Sequence, residues 1–253
     1  MISLRLAADA VGDARLEALP LPFAFAGPTA TERDQSLAPA PEVARQYTSL
    51  RAVVHPDEAQ DATRKLVVLV SGEIQVEGSY QRATLRPGDV LLLDEPPADK
   101  GTVTYAPGTR TVEVGLADEW RPGGSTAPVT DEERRGAADE PRLTEMYVAD
   151  DVAHFRDLGT VFPGSPEPLL AASFLGLSPG LVSDWHTEKG IGLVVVLSGG
   201  FELEVGGSGG AQVFRAGDVC LVDDRVGQGH ITRTHGETRF LHLVVADDHG
   251  LLG

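Results

Sequence analysis

Three side chains in the C-terminal part of the chain could do chemistry together. His186 and Glu188 stand two residues apart in Asp184-Trp185-His186-Thr187-Glu188, and His230 closes the run Gly227-Gln228-Gly229-His230. Two imidazoles and one carboxylate are a recurring minimal set for a divalent transition metal with positions left open for substrate, oxygen or water. On an extended segment, residues i and i+2 share a face. His186 and Glu188 would therefore project together, and His230 would reach them from a different strand. The candidate catalytic and metal-binding residues are His186, Glu188 and His230, and the candidate ions are Fe(II), Mn(II), Ni(II) and Zn(II). The alternative is a metal-free pocket. There His186 and His230 act as acid and base or only bind a ligand, and Glu188 turns to Lys189 or to solvent. His242, in Phe240-Leu241-His242-Leu243-Val244, reads as a core histidine or as an additional ligand or acid/base. Asp223 and Asp224 read as surface carboxylates at a strand end, or as a general acid/base if desolvated; His235 reads as exposed and Cys220 as core.

The elements that must position these residues are written twice. LVVLVSGEIQVEG at 66–78 and ATLRPGDVLLLDE at 83–95 return as LVVVLSGGFELEV at 193–205 and QVFRAGDVCLVDD at 212–224. A weaker echo relates Asp9, Val11, Arg15 and Pro22 to Asp150, Val152, Arg156 and Pro163. A repeat of such long period is a duplicated domain rather than a solenoid. Only the second copy carries the histidines. Glu73–Glu77 and Phe201–Val205 alternate strictly, the signature of strands with one buried face. Arg86-Pro87-Gly88-Asp89 and Arg215-Ala216-Gly217-Asp218 are tight turns leading into further strands. The reading is an N-terminal domain at 1–120, a polar, Pro/Gly-rich linker at 121–142 with a helical turn at Asp131–Arg135, and a C-terminal domain at 143–253. Residues 28–45 read as an extended loop entering a short helix near Pro41–Tyr47. Trp185, Val194 and Val196 are the side chains offered to an apolar face between the domains, and the same kind of face would allow a homodimer.

The chain has 253 residues, one cysteine and a net charge of −17. A chain of this length buries roughly three-quarters of its unfolded surface and folds without disulfides. One cysteine and no basic start before an apolar core point to a cytoplasmic protein without a signal peptide. Its apolar runs are far shorter than the roughly 20 residues of a membrane helix, so no membrane is expected. The acidity argues against nucleic acid as a partner and leaves a small-molecule substrate. No phosphate loop, dinucleotide fingerprint, nucleophile elbow or H-E-x-x-H motif occurs.

The second copy resembles the cupin superfamily, whose first motif is G-x5-H-x-H-x(3,4)-E-x6-G. Gly180, His186, Glu188, Gly192 and Gly199 keep every spacing, with Glu188 at the second His and Gly192 at the motif Glu. For the second motif, Gly217 leads to Asp223 at the Pro position, Gly227-Gln228-Gly229-His230 fits after a two-residue insertion, and Thr234 stands at the Asn. In the first copy the corresponding positions are Ala59, Asp61 and Lys65; His55 is out of register, and no histidine follows before His154. The resemblance implies an all-β bicupin, two tandem jelly-roll barrels of which the first is degenerate and binds no metal. It implies a small-molecule enzyme of secondary metabolism, metal-assisted, with its site in the C-terminal barrel. The reactions it brings are those of a dioxygenase, an isomerase or a polyketide-type cyclase. The alternatives it leaves are a metal-free cyclase or isomerase and a non-catalytic small-molecule-binding protein.

Overall fold

The structure, a computed structural model, describes residues 1–8, 11–26, 47–54, 64–94, 101–116, 142–159, 167–207 and 209–249. The expected linker up to residue 141, the loop and helix before Tyr47, and His55, Ala59 and Asp61 lie outside them. Every regular element among the described residues is a strand. In the first half these are β1 (Ser3–Ala8), β2 (Ala14–Ala18), β3 (Ala24–Ala26), β4 (Tyr47–Val54), β5 (Lys65–Ser71), β6 (Ile74–Glu77), β7 (Arg82–Leu85), β8 (Val90–Asp94), β9 (Thr102–Tyr105) and β10 (Arg110–Leu116). In the second they are β11 (Leu143–Ala149), β12 (Val152–Gly159), β13 (Glu167–Leu177), β14 (Ile191–Ser198), β15 (Gly200–Val205), β16 (Ala211–Arg215), β17 (Val219–Asp223), β18 (His230–Thr234) and β19 (Thr238–Val245).

The strand order shows the duplication directly. One large sheet runs β12-β11-β17-β14-β19-β13-β4-β10-β5-β8-β1-β2, and two small sheets run β16-β15-β18 and β7-β6-β9. Read outward from the middle, the two wings of the large sheet repeat each other strand for strand. Each wing with its three-stranded sheet makes a jelly-roll barrel. The repeated LVV blocks are β5 and β14, and the GDV blocks open β8 and β17. The fold is all-β, two jelly-roll barrels in tandem. The wings meet where β4 pairs antiparallel with β13, Leu50 opposite Glu167 and Ser49 opposite Pro168. β3 of the first half pairs in parallel with β13 of the second.

The weaker N-terminal echo is shifted from its expected register. Arg5 faces Glu17 across β1 and β2, and Glu145 faces Arg156 across β11 and β12. Arg156 therefore answers Glu17 rather than Arg15. Each pair is an ion pair, Arg5 Nη1 to Glu17 Oε2 at 3.3 Å and Arg156 Nε to Glu145 Oε2 at 2.7 Å, with the charges exchanged between the copies.

The apolar runs of β5 and β14 are buried on both faces. Leu66, Val68 and Val70 join Leu193, Val195 and Leu197 in one core shared by the barrels. Val67 and Leu69 point into the first barrel with Ile74, Leu85, Leu91 and Tyr105. Val194 and Val196 point into the second barrel with Met146, Phe201, Phe214 and Cys220, not into the interface expected for them. Trp185 is half-buried and is not part of the shared core. A strand covered on both sides shows no alternation, so its pattern carries no phase.

The GD turns explain their own repetition. Asp89 accepts Arg86 N–H within its turn and Ile2 N–H at the start of β1; Asp218 does the same with Arg215 and Arg142. One buried carboxylate thus closes the turn and ties down the first strand of each barrel. Gly88 lets the barrels approach closely: at φ +88°, a Cβ there would stand 2.1 Å from the Leu197 carbonyl oxygen.

Two outcomes follow from this packing. Leu66→Ala and Leu193→Ala should each cost about 2–5 kcal/mol, and each should lower one calorimetric transition that includes both barrels; two resolved transitions would contradict a shared core. Asp218→Ala leaves two backbone donors without their acceptor and should cost about 2 kcal/mol or more, read as a lower urea midpoint at unchanged slope.

Candidate metal centre

The segment before β14 carries two of the three candidate residues and is not a regular strand. It zips along β18 through alternate backbone pairs: Gly180 N–H to Thr234 O, Ser183 N–H to Thr232 O, and a two-way bridge between His186 and His230. Side chains reinforce the zip. Thr234 Oγ1 accepts Leu181 N–H at 3.0 Å and donates to Ser178 O at 2.7 Å, and Ser183 Oγ accepts Thr232 N–H at 2.7 Å. Gly229 permits the closest point of this contact, since a Cβ there would lie 1.9 Å from the His186 carbonyl oxygen.

The bridge sets the two imidazoles side by side, with ring centroids 4.3 Å apart. His186, Glu188 and His230 each offer one ligand atom, and these atoms all lie within 4.8 Å of one another. His186 and Glu188 are half-buried and His230 is buried. Both imidazoles are anchored from behind. His186 Nδ1 lies 2.9 Å from the Asp184 carbonyl oxygen, and His230 Nδ1 lies 2.6 Å from Asp224 Oδ2. With Nδ1–H donating in each case, Nε2 keeps its lone pair. Burial, and secondarily the neighbouring His230, hold His186 below the usual imidazole range, so it stays neutral at neutral pH.

The sequence leaves Asp224 either as one of two surface carboxylates or, if desolvated, as a general acid/base. It is fully buried. Besides His230 it accepts the Glu188 backbone N–H at 3.3 Å, so one carboxylate orients both segments of the cluster. Its neighbour Asp223 is a surface residue paired with Arg225 at 2.7 Å. The sequence signal was the spacing: an acid six residues before the histidine, on the far side of a glycine loop. Imidazole ligands commonly use such a carboxylate to fix their orientation.

His242 faces the same barrel interior. Its neighbours Leu241 and Leu243 belong to the shared core, so alternation turns His242 inward with Phe240 and Val244, and all three are half-buried. The Nε2 of His242 occupies space in front of Gly192, where a Cβ would stand 2.4 Å from it. Burial also holds His242 below the usual imidazole range. Cys220 is fully buried in the same interior, and burial drives its thiol pKa upward. His235 is exposed, as expected.

The first barrel is built differently at the matching register positions. Lys65 holds the place of Gly192 and Glu113 that of His242, and Lys65 Nζ donates to Glu113 Oε1 at 2.7 Å. Gly101 precedes β9 where His230 opens β18. Tyr105, fully buried, fills the interior where the second barrel has Thr234.

Two imidazoles and a carboxylate with converging ligand atoms fit a borderline divalent metal. His186, Glu188 and His230 would hold it, with Asp224 and the Asp184 carbonyl behind them.

No family model and no curated relative match the chain. Several solved structures do. A cupin 2 conserved barrel domain protein from Leptotrichia buccalis is 14% identical over 82% of this chain and 86% of its own, with a TM-score of 0.38. A protein of unknown function from Pseudomonas syringae pv. tomato is 12% identical over 97% and 100%, with a TM-score of 0.39. Bacillus subtilis oxalate decarboxylase, which has Mn(II) centres, is 14% identical over 98% and 76%, with a TM-score of 0.28. Likenesses this distant carry no argument about chemistry. The strand topology itself is that of two jelly-roll barrels in one chain.

Proposed function

We propose that the chain is an enzyme acting on a small organic molecule in its second barrel, with a divalent transition metal held by His186, Glu188 and His230. The observation that carries this is the convergence of three ligand atoms within 4.8 Å, with both imidazoles oriented by oxygens at Nδ1. Such a metal supplies a Lewis acid for a carbonyl or enol oxygen, or a centre for dioxygen. The chain's own residues do the rest. Asp224 holds the His230 ring in one tautomer, and the Asp184 carbonyl does so for His186. The apolar wall of Val194, Val196, Phe201 and Phe240 excludes water from the reacting molecule. The reaction class is oxygen insertion, isomerisation or polyketide-type ring closure.

A metal-free version of the same site is favoured by one observation. His186 is neutral, half-buried and beside a second imidazole, which suits a general base. The two versions separate on metal content.

Untagged protein should purify with Fe, Mn, Ni or Zn near one equivalent per chain, and His186→Ala or His230→Ala should remove it while the β-sheet circular dichroism is kept. Asp224→Asn should weaken metal affinity by about 10–100-fold. Wild-type protein without metal, unaffected by chelators yet losing ligand affinity on the same substitutions, would favour the metal-free site.

The metal-free chain should also lose stability in mild acid. His186 and His242 bind protons less readily folded than unfolded. Their contribution is therefore complete above the ordinary imidazole value of about 6.5 and falls as pH drops below it. Urea midpoints measured across that range should decline in the wild type and decline less steeply in His186→Ala, where His242 alone contributes.

A further inference from the structure

The wall facing the metal cluster carries polar groups that the proposed ligand set does not use. Ser173 lies on β13 directly across from His242 on β19. Its neighbours Ala172 and Phe174 belong to the core shared by the barrels, so Ser173 points the other way, into the second barrel. It is 6% exposed, and its hydroxyl has no hydrogen-bond partner among the described residues. A buried hydroxyl without a partner costs about 1–3 kcal/mol. His242 beside it is half-buried and neutral. Gly192 supplies the space for its ring.

The charges nearby restrict what could bind there. Among the described residues of the second half, the arginines that form ion pairs do so at the barrel's outside. Arg156 pairs with Glu145, Arg225 with Asp223 and Asp247, Arg233 with Glu202 and Glu204, and Arg239 with Glu237. Lys189 is exposed. No cation of these stands beside Ser173 and His242 to balance a carboxylate, and Glu188 lies close enough to His242 to act on it electrostatically. The apolar neighbours on that face are Val194, registered against His242 across β14 and β19, and Phe240, two residues along β19.

We infer that Ser173 and His242 form a hydrogen-bonding ledge that recognises an uncharged carbonyl or hydroxyl oxygen of a largely apolar substrate. The substrate would span the barrel interior, one oxygen toward His186, Glu188 and His230 and a second on the ledge. The inference deepens the proposed reading by naming the substrate class. It depends on the second barrel being the functional one and not on metal.

The test uses the full metal-free chain and benzoylacetone, a neutral enolisable diketone with an aromatic body, followed by calorimetry. Benzoate is the charged comparator. Wild-type protein should bind benzoylacetone saturably and benzoate at least tenfold more weakly. Ser173→Ala, a change of one hydroxyl, should weaken benzoylacetone about five- to tenfold, and His242→Leu should do the same. If His242→Leu fails to fold, Ser173→Ala decides. Absence of saturable binding, equal binding of benzoate, or unchanged affinity in Ser173→Ala would overturn the ledge. Metal affinity is measured separately on the same variants. Loss of metal in His242→Leu would make His242 a ligand and overturn the ledge while leaving the His/Glu centre standing. Loss of the metal reading alone leaves the benzoylacetone result unaffected.

Discussion

The two long strands β5 and β14 must be buried on both faces, and most of the molecule follows from that requirement. A strand between two layers sends alternate side chains to opposite sides. One set, Leu66, Val68 and Val70 with Leu193, Val195 and Leu197, closes the shared core. The other set is then committed to the two barrel interiors, whatever those interiors are for. The shared core also fixes which residues of the neighbouring strands face inward. On β19 it takes Leu241, Leu243 and Val245, and so delivers Phe240, His242 and Val244 to the second barrel. The inward direction of the functional wall is set by packing on its other side.

From that common frame the two barrels diverge by few changes. The first is filled and neutralised from within: Tyr105 occupies its interior, and Lys65 is tied to Glu113. A buried ion pair adds little net stability, but removing one partner leaves a charge without compensation. The second barrel has Gly192, His242 and Thr234 at the matching places. Removing a long cation and an aromatic ring opens room. Exchanging a carboxylate for an imidazole leaves a polar group that is neutral when buried. The two barrels thus share one sheet and one core and differ in what occupies their interiors.

How much of this was legible in the sequence depended on periodicity. The repeated blocks placed β5 with β14 and β8 with β17, because turn residues and apolar runs survive duplication. The clustering of His186, Glu188 and His230 was legible from their spacing, although the segment bearing His186 is an irregular zip along β18 rather than a strand. The orientation of Val194 and Val196 was not legible, since LVVVL reads the same in either phase. The N-terminal echo slipped because the Arg5–Glu17 pair returned with its charges exchanged, and matching identical residues aligned Arg15 with Arg156. Asp224 was hidden for a different reason. Asp-Asp at a strand end is ordinary surface sequence, and only the fold shows that one carboxylate turns out to Arg225 and the other turns in.

That inward turn of Asp224 has a desolvation cost, and the cost explains its form. A carboxylate removed from water requires partners for its oxygens. Asp224 has two, His230 Nδ1 on one oxygen and the Glu188 N–H on the other. Those partners come from the two segments that carry the candidate ligands. The same contacts that make the buried carboxyl group tolerable therefore hold His230 and Glu188 in register. The His186–His230 backbone bridge adds the third member without a further side chain. Stabilising a buried acid and positioning a ligand set are, in this barrel, one set of hydrogen bonds. An apolar residue at 224 would relieve the desolvation cost, but it would release the ring of His230 and the backbone of Glu188 together.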